Sequence, residues 1–179
     1  LSDAAFLVMD LDSRGAASLA HVFLNTYLEH ADDHGGLDLL PLYCAYRALV
    51  RAKVGMLRAA QNPAAAAASR MEAERHIELA GRYVAPRGDA GLVLTHGVSG
   101  SGKSHCARRL ATLSGFIHLR SDIERRRLAG LALDARSNSA PDSGLYSADM
   151  TRATYERLLA VARVALTAGY SVVVDATFM

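Results

Sequence analysis

The chain has 179 residues, of which 51% are hydrophobic and 21% charged, and a formal net charge of +2. This composition excludes an intrinsically disordered chain, and four prolines with fourteen glycines exclude a collagen-like or proline-rich one. No apolar run approaches the roughly 18 residues that a membrane-spanning helix needs, so we expect no membrane partner. The charge is too weak to indicate nucleic acid. Cys44 and Cys106 cannot form a disulfide framework, which suits a reducing cytoplasm.

The two halves of the chain differ in charge. Residues 1–90 hold nine Lys/Arg against eleven Asp/Glu, whereas residues 91–179 hold eleven against seven. The turn-rich stretch 86–91 lies between them and is predicted to be a linker. We therefore expect a helical part over residues 1–85 and a second part over residues 92–179. Because the chain starts at a leucine and stops just after a strand pattern, we expect a segment of a longer protein; a small complete domain is the alternative.

The first half is predicted to be helical throughout. One helix is expected from Ala17 to Glu29, and another after Asn62-Pro63 towards Leu79. Between them, apolar residues recur at steps of three and four and line one face of a helix, for which Asp38 is the expected N-cap. The residues of this apolar face are Leu39, Leu42, Tyr43, Tyr46, Leu49, Val50, Val54 and Leu57.

The second half alternates between strand and helix patterns. Short apolar runs predict strands, and segments of helical composition lie between them. In chain order these are 92–95, 103–113, 116–119, 147–168 and 172–174. Strand, helix, strand, helix, strand is typical of a parallel sheet with crossover helices.

Residues 97–104 carry the most specific motif of the chain, a glycine, four residues, then Gly-Lys-Ser. Glycines in such a phosphate-binding loop adopt positive φ and bring main-chain N–H groups to phosphate oxygens, and the next helix starts at the anion. Lys103 is predicted to reach the β- and γ-phosphates of ATP, and the Ser104 hydroxyl to ligate Mg²⁺. A glycine turn without a ligand is the alternative. The predicted nucleotide-binding residues are Gly97, Val98, Ser99, Gly100, Ser101, Gly102, Lys103, Ser104 and His105.

Two further segments come directly after predicted strands, where open α/β sheets place their ligands. Asp122 is a candidate to accept a proton from an acceptor hydroxyl, and Arg125, three residues on, to bind a phosphate or steady that carboxylate. The alternatives are a helix cap and a solvated basic face. Asp175 ends the third strand and is a candidate metal residue, or else a cap of the next element. The seven histidines show no metal-binding pair, and His118 is interpreted as a packing or surface residue.

Residues 91–179 resemble the start of a P-loop kinase-like ATPase domain of the AAA type, similar to zeta toxins, gluconate kinases and the kinase domain of polynucleotide kinase. The resemblance rests on residues 95–104, on 120–122 with Arg125, on 144–147 and on 171–178. It implies that Asp122 acts on the acceptor hydroxyl and that the strand order is 2-3-1-4-5. The expected fold class is thus α/β, a P-loop NTPase-type parallel sheet preceded by an all-α segment.

Residues 1–80 resemble the C-terminal helical part of an aminoglycoside phosphotransferase-like domain, on the segments 5–12 and 46–54. The aspartates that carry catalysis and bind metal in that family lie upstream of this region, so Asp10 and Asp12 are not assigned catalytic roles.

The function expected from these patterns is phosphoryl transfer by an ATP-dependent kinase. The γ-phosphoryl of ATP, bound with Mg²⁺, would pass to an unknown small molecule that carries a hydroxyl, with Lys103, Asp122 and Arg125 as the catalytic residues. Two alternatives stay open: an ATP-hydrolysing switch or nucleotide-binding module without such an acceptor, and a zeta-toxin-like kinase of a nucleotide sugar.

Overall fold

A computed structural model describes residues 1–98, 100–133 and 144–178. In residues 1–98 no strand precedes β1, so the first half is helical as predicted. Two short 3-10 helices, His34–Asp38 and Pro63–Ala65, connect its α-helices. These α-helices are α1 (Ser2–Ser13), α2 (Ala17–Ala31), α3 (Leu40–Gln61) and α4 (Ala66–Val84).

The start of α3 differs from the sequence expectation. Asp38 belongs to the preceding 3-10 helix, and Leu39 precedes α3 without a side-chain cap, so the prediction that Asp38 caps this helix was wrong. Pro41 lies in the first turn, where a missing N–H costs nothing. The 3-10 helix therefore replaces the cap as the element that turns the chain into α3.

The buried face of α3 is formed mostly by small residues. Ala48, Ala52 and Gly55 are buried, while Leu42 and Tyr46 on the predicted apolar face are each 59% exposed. A Cβ at position 55 would lie 3.1 Å from the Ser69 carbonyl oxygen of α4. Small side chains thus let α3 and α4 approach closely, and the bulkier apolar stripe faces outward.

The second half folds into a parallel three-stranded sheet with the order β1-β3-β2. This confirms the expected α/β class, and the order agrees with the 2-3-1 part of the order that the family resemblance implies. The elements are β1 (Leu92–His96), α5 (Lys103–Ser114), β2 (Ile117–Arg120), α6 (Ser121–Leu128), the 3-10 helix Gly144–Tyr146, α7 (Ala148–Thr167) and β3 (Val172–Phe178).

One face of the sheet shares a continuous core with the helical half. Leu119 and Val172 of the sheet belong to the same cluster of buried side chains as Met9, Leu28 and Leu37. On the opposite face, Val173 packs against α5 through a small cluster with Ala107 and Ala111. In the part of the chain that the structure describes, none of the helices is both long and apolar enough to cross a membrane.

The two edges of the sheet differ in how far other parts of the chain cover them. On the β2 edge, the Asn25 side chain of α2 donates to the Phe116 carbonyl at 3.0 Å and accepts from the His118 N–H at 2.7 Å. An amide side chain thereby satisfies backbone groups that a neighbouring strand would otherwise bond. The β1 edge has Leu92 and Leu94 about half exposed, at 50% and 52%.

Candidate functional site

The glycine-rich loop connects β1 to α5 and curves through positive φ. Gly97, Gly100 and Gly102 have φ of +132°, +79° and +88°, a region that L side chains rarely adopt. Gly102 caps α5, whose His105 N–H bonds back to its carbonyl at 3.0 Å. Ser99 lies outside the described residues. The loop thus has the backbone shape that a phosphate-binding loop needs, directly at a helix N-terminus.

Lys103 folds back into this loop. Its Nζ donates to the carbonyl oxygens of Gly97 at 2.7 Å and of Val98 at 2.6 Å. The first turn of α5, all of whose residues are described, contains no carboxylate. An ammonium group and a helix N-terminus therefore meet at one point, where they favour an anion.

A cavity of about 400 Å³ opens in front of the loop. It brings together side chains from three parts of the chain: the loop and α5, the junction of β2 with α6, and the end of β3. The chemically active ones are Lys103, Ser104, His105, Arg120, Asp122 and Asp175. The structure thus gathers most of the residues that the sequence singled out.

Asp175 is buried at 7% exposure on the central strand. Its Oδ1 accepts from the Thr95 hydroxyl at 3.4 Å, and its Oδ2 lies 3.6 Å from His118 Nε2. That Nε2 has no hydrogen-bond partner among the described residues, and burial lowers the pKa of His118 although Asp175 opposes the shift. His118 is therefore a neighbour of the site, which the sequence analysis missed. The signal was its alternation with Arg120, which places both side chains on the face that Asp175 occupies.

The site also fits a magnesium ion in the chemistry of its donors. Ser104 and Asp175 present a hydroxyl and a carboxylate to the same cavity, and Mg²⁺ prefers oxygen ligands. In the described residues no group of three or more His, Cys, Asp or Glu could hold a metal ion by itself. Such a sparse protein set suits a cation that keeps waters and takes its other ligands from nucleotide phosphates.

Asp122 lies in the first turn of α6, lines the cavity, and has a side chain that is 48% exposed. Arg120 Nη2 donates to its Oδ2 at 2.8 Å, while Arg120 Nη1 lies 3.4 Å from Glu29 Oε1 on α2. The Arg120 guanidinium thus lies between the carboxylate of Asp122, the candidate proton acceptor, and the helical half. Spacing within the sequence offered no signal for Glu29, which lies 91 residues before Arg120.

Arg125 is placed elsewhere. Its Nη1 donates to the Leu145 carbonyl at 3.3 Å, and its guanidinium lies 4.9 Å from the centre of the Tyr146 ring. The residue does not line the cavity described above. The three-residue spacing from Asp122 is present on α6, but in this structure the arginine packs against the segment before α7.

The helix that carries Asp122 is held by a cluster of charges around the buried Glu124. Glu124, 3% exposed, pairs with Arg127 and with Arg157 of α7, whose Nε lies 3.1 Å from Glu124 Oε2. Arg157 also pairs with Asp32 at the end of α2. Arg127 Nη2 donates to the Glu29 carbonyl at 2.6 Å. The helical half therefore sets the position of α6, and with it that of Asp122.

A second cavity of about 490 Å³ lies in the helical half, between α1, α3 and α4. Asp10 on its wall accepts from Arg14 at 2.9 Å and from Arg51 at 3.3 Å, and the Arg14 hydrogen bond lowers the pKa of Asp10. Asp12 accepts from the Tyr83 hydroxyl. Each of these two carboxylates thus accepts hydrogen bonds from other side chains of the helical half.

Comparison with known proteins finds similar sequences and one matching family model. The chain is 38% identical over 178 residues to an uncharacterized protein of Mycobacterium bovis and to uncharacterized proteins of two Mycobacterium tuberculosis strains, CDC 1551 and H37Rv. These alignments cover 99% of this chain but 35% of each relative, so the chain spans about a third of their length. No solved structure matches the chain. Residues 92–179 match the family model described as an AAA domain.

Proposed function

We propose that the protein is a phosphotransferase that moves the γ-phosphoryl of ATP to a small molecule with a hydroxyl group. The observation that carries this proposal is the meeting of Lys103, Ser104, Asp122 and Asp175 around one cavity of about 400 Å³. A nucleotide-binding loop alone would need only the first two. A carboxylate facing the same space adds a group that can act on an acceptor.

Each residue has a separate role in this proposal. Lys103 and the loop N–H groups hold the β- and γ-phosphates, replacing the carbonyl contacts that Lys103 makes in the loop. Ser104 and Asp175 would hold Mg²⁺, which supplies neutralisation of the phosphate charge when bound. Asp122, half exposed, orients the acceptor hydroxyl or takes its proton.

An ATP-hydrolysing switch is the second candidate function. It is favoured by ion pairs between the two halves. Glu29 of α2 and Asp32, which follows α2, contact Arg120, Arg127 and Arg157, and such contacts would pass a nucleotide-dependent shift of α6 to the helical half. A kinase of a nucleotide sugar is a narrower form of the first proposal.

The larger organisation is part of the same proposal. Residues 1–85 would be the C-terminal helical part of a phosphotransferase-like domain, joined through residues 86–91 to the AAA domain. In the linker, Arg87 stacks 3.9 Å from the centre of the Tyr170 ring. The free thiols of Cys44 and Cys106 suit a reducing cytoplasm, where ATP and Mg²⁺ are both present.

Nucleotide binding is tested by Lys103→Ala in the full protein. We expect the affinity for a fluorescent ATP analogue with Mg²⁺ to fall by about 10- to 100-fold, because a charge-assisted bond to phosphate is lost. The chain has two lysines, and Lys53→Ala on the exposed side of α3 is the matched control, expected to bind like the wild type. Equal affinity of Lys103→Ala and wild type would refute the proposed function.

Transfer of the phosphoryl group to an acceptor is tested by Asp122→Asn. ATP turnover is measured with and without a panel of hydroxylated small molecules and nucleotide sugars. We expect acceptor-dependent turnover to fall by about 10²- to 10⁴-fold while nucleotide affinity is kept. Asp149→Asn, at an exposed side chain of α7, is the control. Turnover that no acceptor stimulates would favour the switch instead.

A further inference from the structure

The cavity contains an arginine that the sequence motifs did not assign to it. Among the described residues that line it, Arg120 is the one arginine, whereas Arg125 packs against Leu145 and Tyr146. Arg120 ends β2, the strand that pairs with β3 in a register placing Arg120 beside Asp175. Its side chain therefore projects from the end of a strand.

The surroundings of Arg120 keep it at the cavity wall. Its two terminal nitrogens contact carboxylates on either side, Glu29 on α2 at 3.4 Å and Asp122 on α6 at 2.8 Å. Its side chain is 27% exposed. A guanidinium has five N–H donors, so these two contacts leave donors for a further oxygen acceptor.

Charge explains why a cation is needed at this place. In the proposed reaction the γ-phosphoryl lies between the loop and Asp122, so two anionic groups face each other across the cavity. Lys103 and the α5 N-terminus neutralise the loop side. On the opposite side Arg120 is in contact with Asp122 and can offset the repulsion between that carboxylate and the phosphoryl oxygens.

We propose that Arg120 binds the γ-phosphoryl of the bound nucleotide from the acceptor side of the cavity. This inference rests on the proposed nucleotide site and adds to it a residue that recognises the third phosphate. A γ-phosphate ligand contributes to the binding of a triphosphate and not to that of a diphosphate, because a diphosphate has no group at that position.

The experiment measures the affinity of the full protein for two fluorescent nucleotides, each in the presence of Mg²⁺. One is a derivative of ADP and the other a non-hydrolysable analogue of ATP. Arg120→Gln is expected to lose about tenfold or more in affinity for the analogue and less than about twofold for ADP. Arg152→Gln, an exposed arginine of α7, is the control and should bind both nucleotides like the wild type. Thermal unfolding of each variant establishes that it is folded.

If Arg120→Gln does not fold, Arg120→Lys is the test variant in its place, because it keeps the positive charge between the two carboxylates. It lacks the planar fork of donors, so we expect a loss of about threefold or more for the analogue alone. Loss of both nucleotides to the same extent, or of neither, overturns the assignment. A loss selective for the analogue in Arg125→Gln and not in Arg120→Gln also overturns it. A wild-type protein that binds neither nucleotide overturns the nucleotide site itself, which separates the two failures.

Discussion

Leu94 of β1 and Leu119 of β2 flank the same residue of the central strand, Val174. They share a register position and a residue type, yet Leu119 is 2% exposed and Leu94 is 52% exposed. The difference comes from what covers each side. The helical half and α7 share a core with β2 and β3, while β1 is an edge strand among the strands of the described residues.

This asymmetry divides the candidate site into two sides. The glycine-rich loop comes after β1, the more exposed strand, where local backbone geometry is enough to shape it. Asp122 and Arg120 lie at the end of β2 on the covered side, where Glu29 and the cluster around Glu124 hold them. The proposed nucleotide side is therefore built from residues close together in the chain, and the proposed acceptor side contacts the helical half.

The two leucines offer the most direct test of this asymmetry. Leu119→Ala is expected to lower the free energy of unfolding by about 3 kcal/mol, because a buried side chain leaves a cavity. Leu94→Ala should lower it by less than about 1 kcal/mol, since half of that side chain is already in water. Denaturant unfolding of both variants measures the difference, and equal losses would mean that β1 is covered as well as β2.

The covered edge can be opened at Asn25. Asn25→Ala removes both side-chain bonds to the β2 backbone and is expected to lower the free energy of unfolding by about 2 kcal/mol. Hydrogen exchange at the His118 amide should become faster in the same variant. Gln61→Ala, at an exposed position of α3, is the control. Unchanged exchange at His118 would show that Asn25 does not protect this edge.

The smallest expected effect is a pH dependence of the free energy of unfolding, which arises from a histidine on the covered side. His34 precedes α3 and is 6% exposed; burial lowers its pKa, and Arg127 adds to this, while Asp32 and Glu124 oppose it. The unfolded chain then binds more protons than the folded one, so the stability due to His34 is complete above about pH 6.5 and is lost as the pH falls.

His34→Gln should therefore lose less stability than the wild type between pH 7 and pH 5, by less than about 1 kcal/mol. Unfolding in denaturant at several pH values measures this, with His30→Gln at an exposed position of α2 as the control. A steeper pH dependence in His34→Gln than in the wild type would contradict the sign of the pKa shift.

Much of the site could be predicted because its signals are local. The spacing of Gly97, Gly102, Lys103 and Ser104 determines the loop, since backbone angles and a helix N-terminus depend on neighbouring residues. The strand patterns likewise placed Asp122 and Asp175 after the carboxyl ends of two predicted parallel strands. Their meeting in one cavity results from the order β1-β3-β2.

The amino-acid sequence alone was thus sufficient to predict the parallel sheet, the glycine-rich loop and most of the long helices, but it gave no separate prediction for α1 or α6. Tertiary packing set the rest: the small-residue face of α3 is buried, Asn25 closes the β2 edge, and Arg120 lines the cavity instead of Arg125. Each of these outcomes depends on a contact between residues distant in the chain. Periodicity describes which side chains share a face, but which face is buried is set by the partner that the fold brings to it.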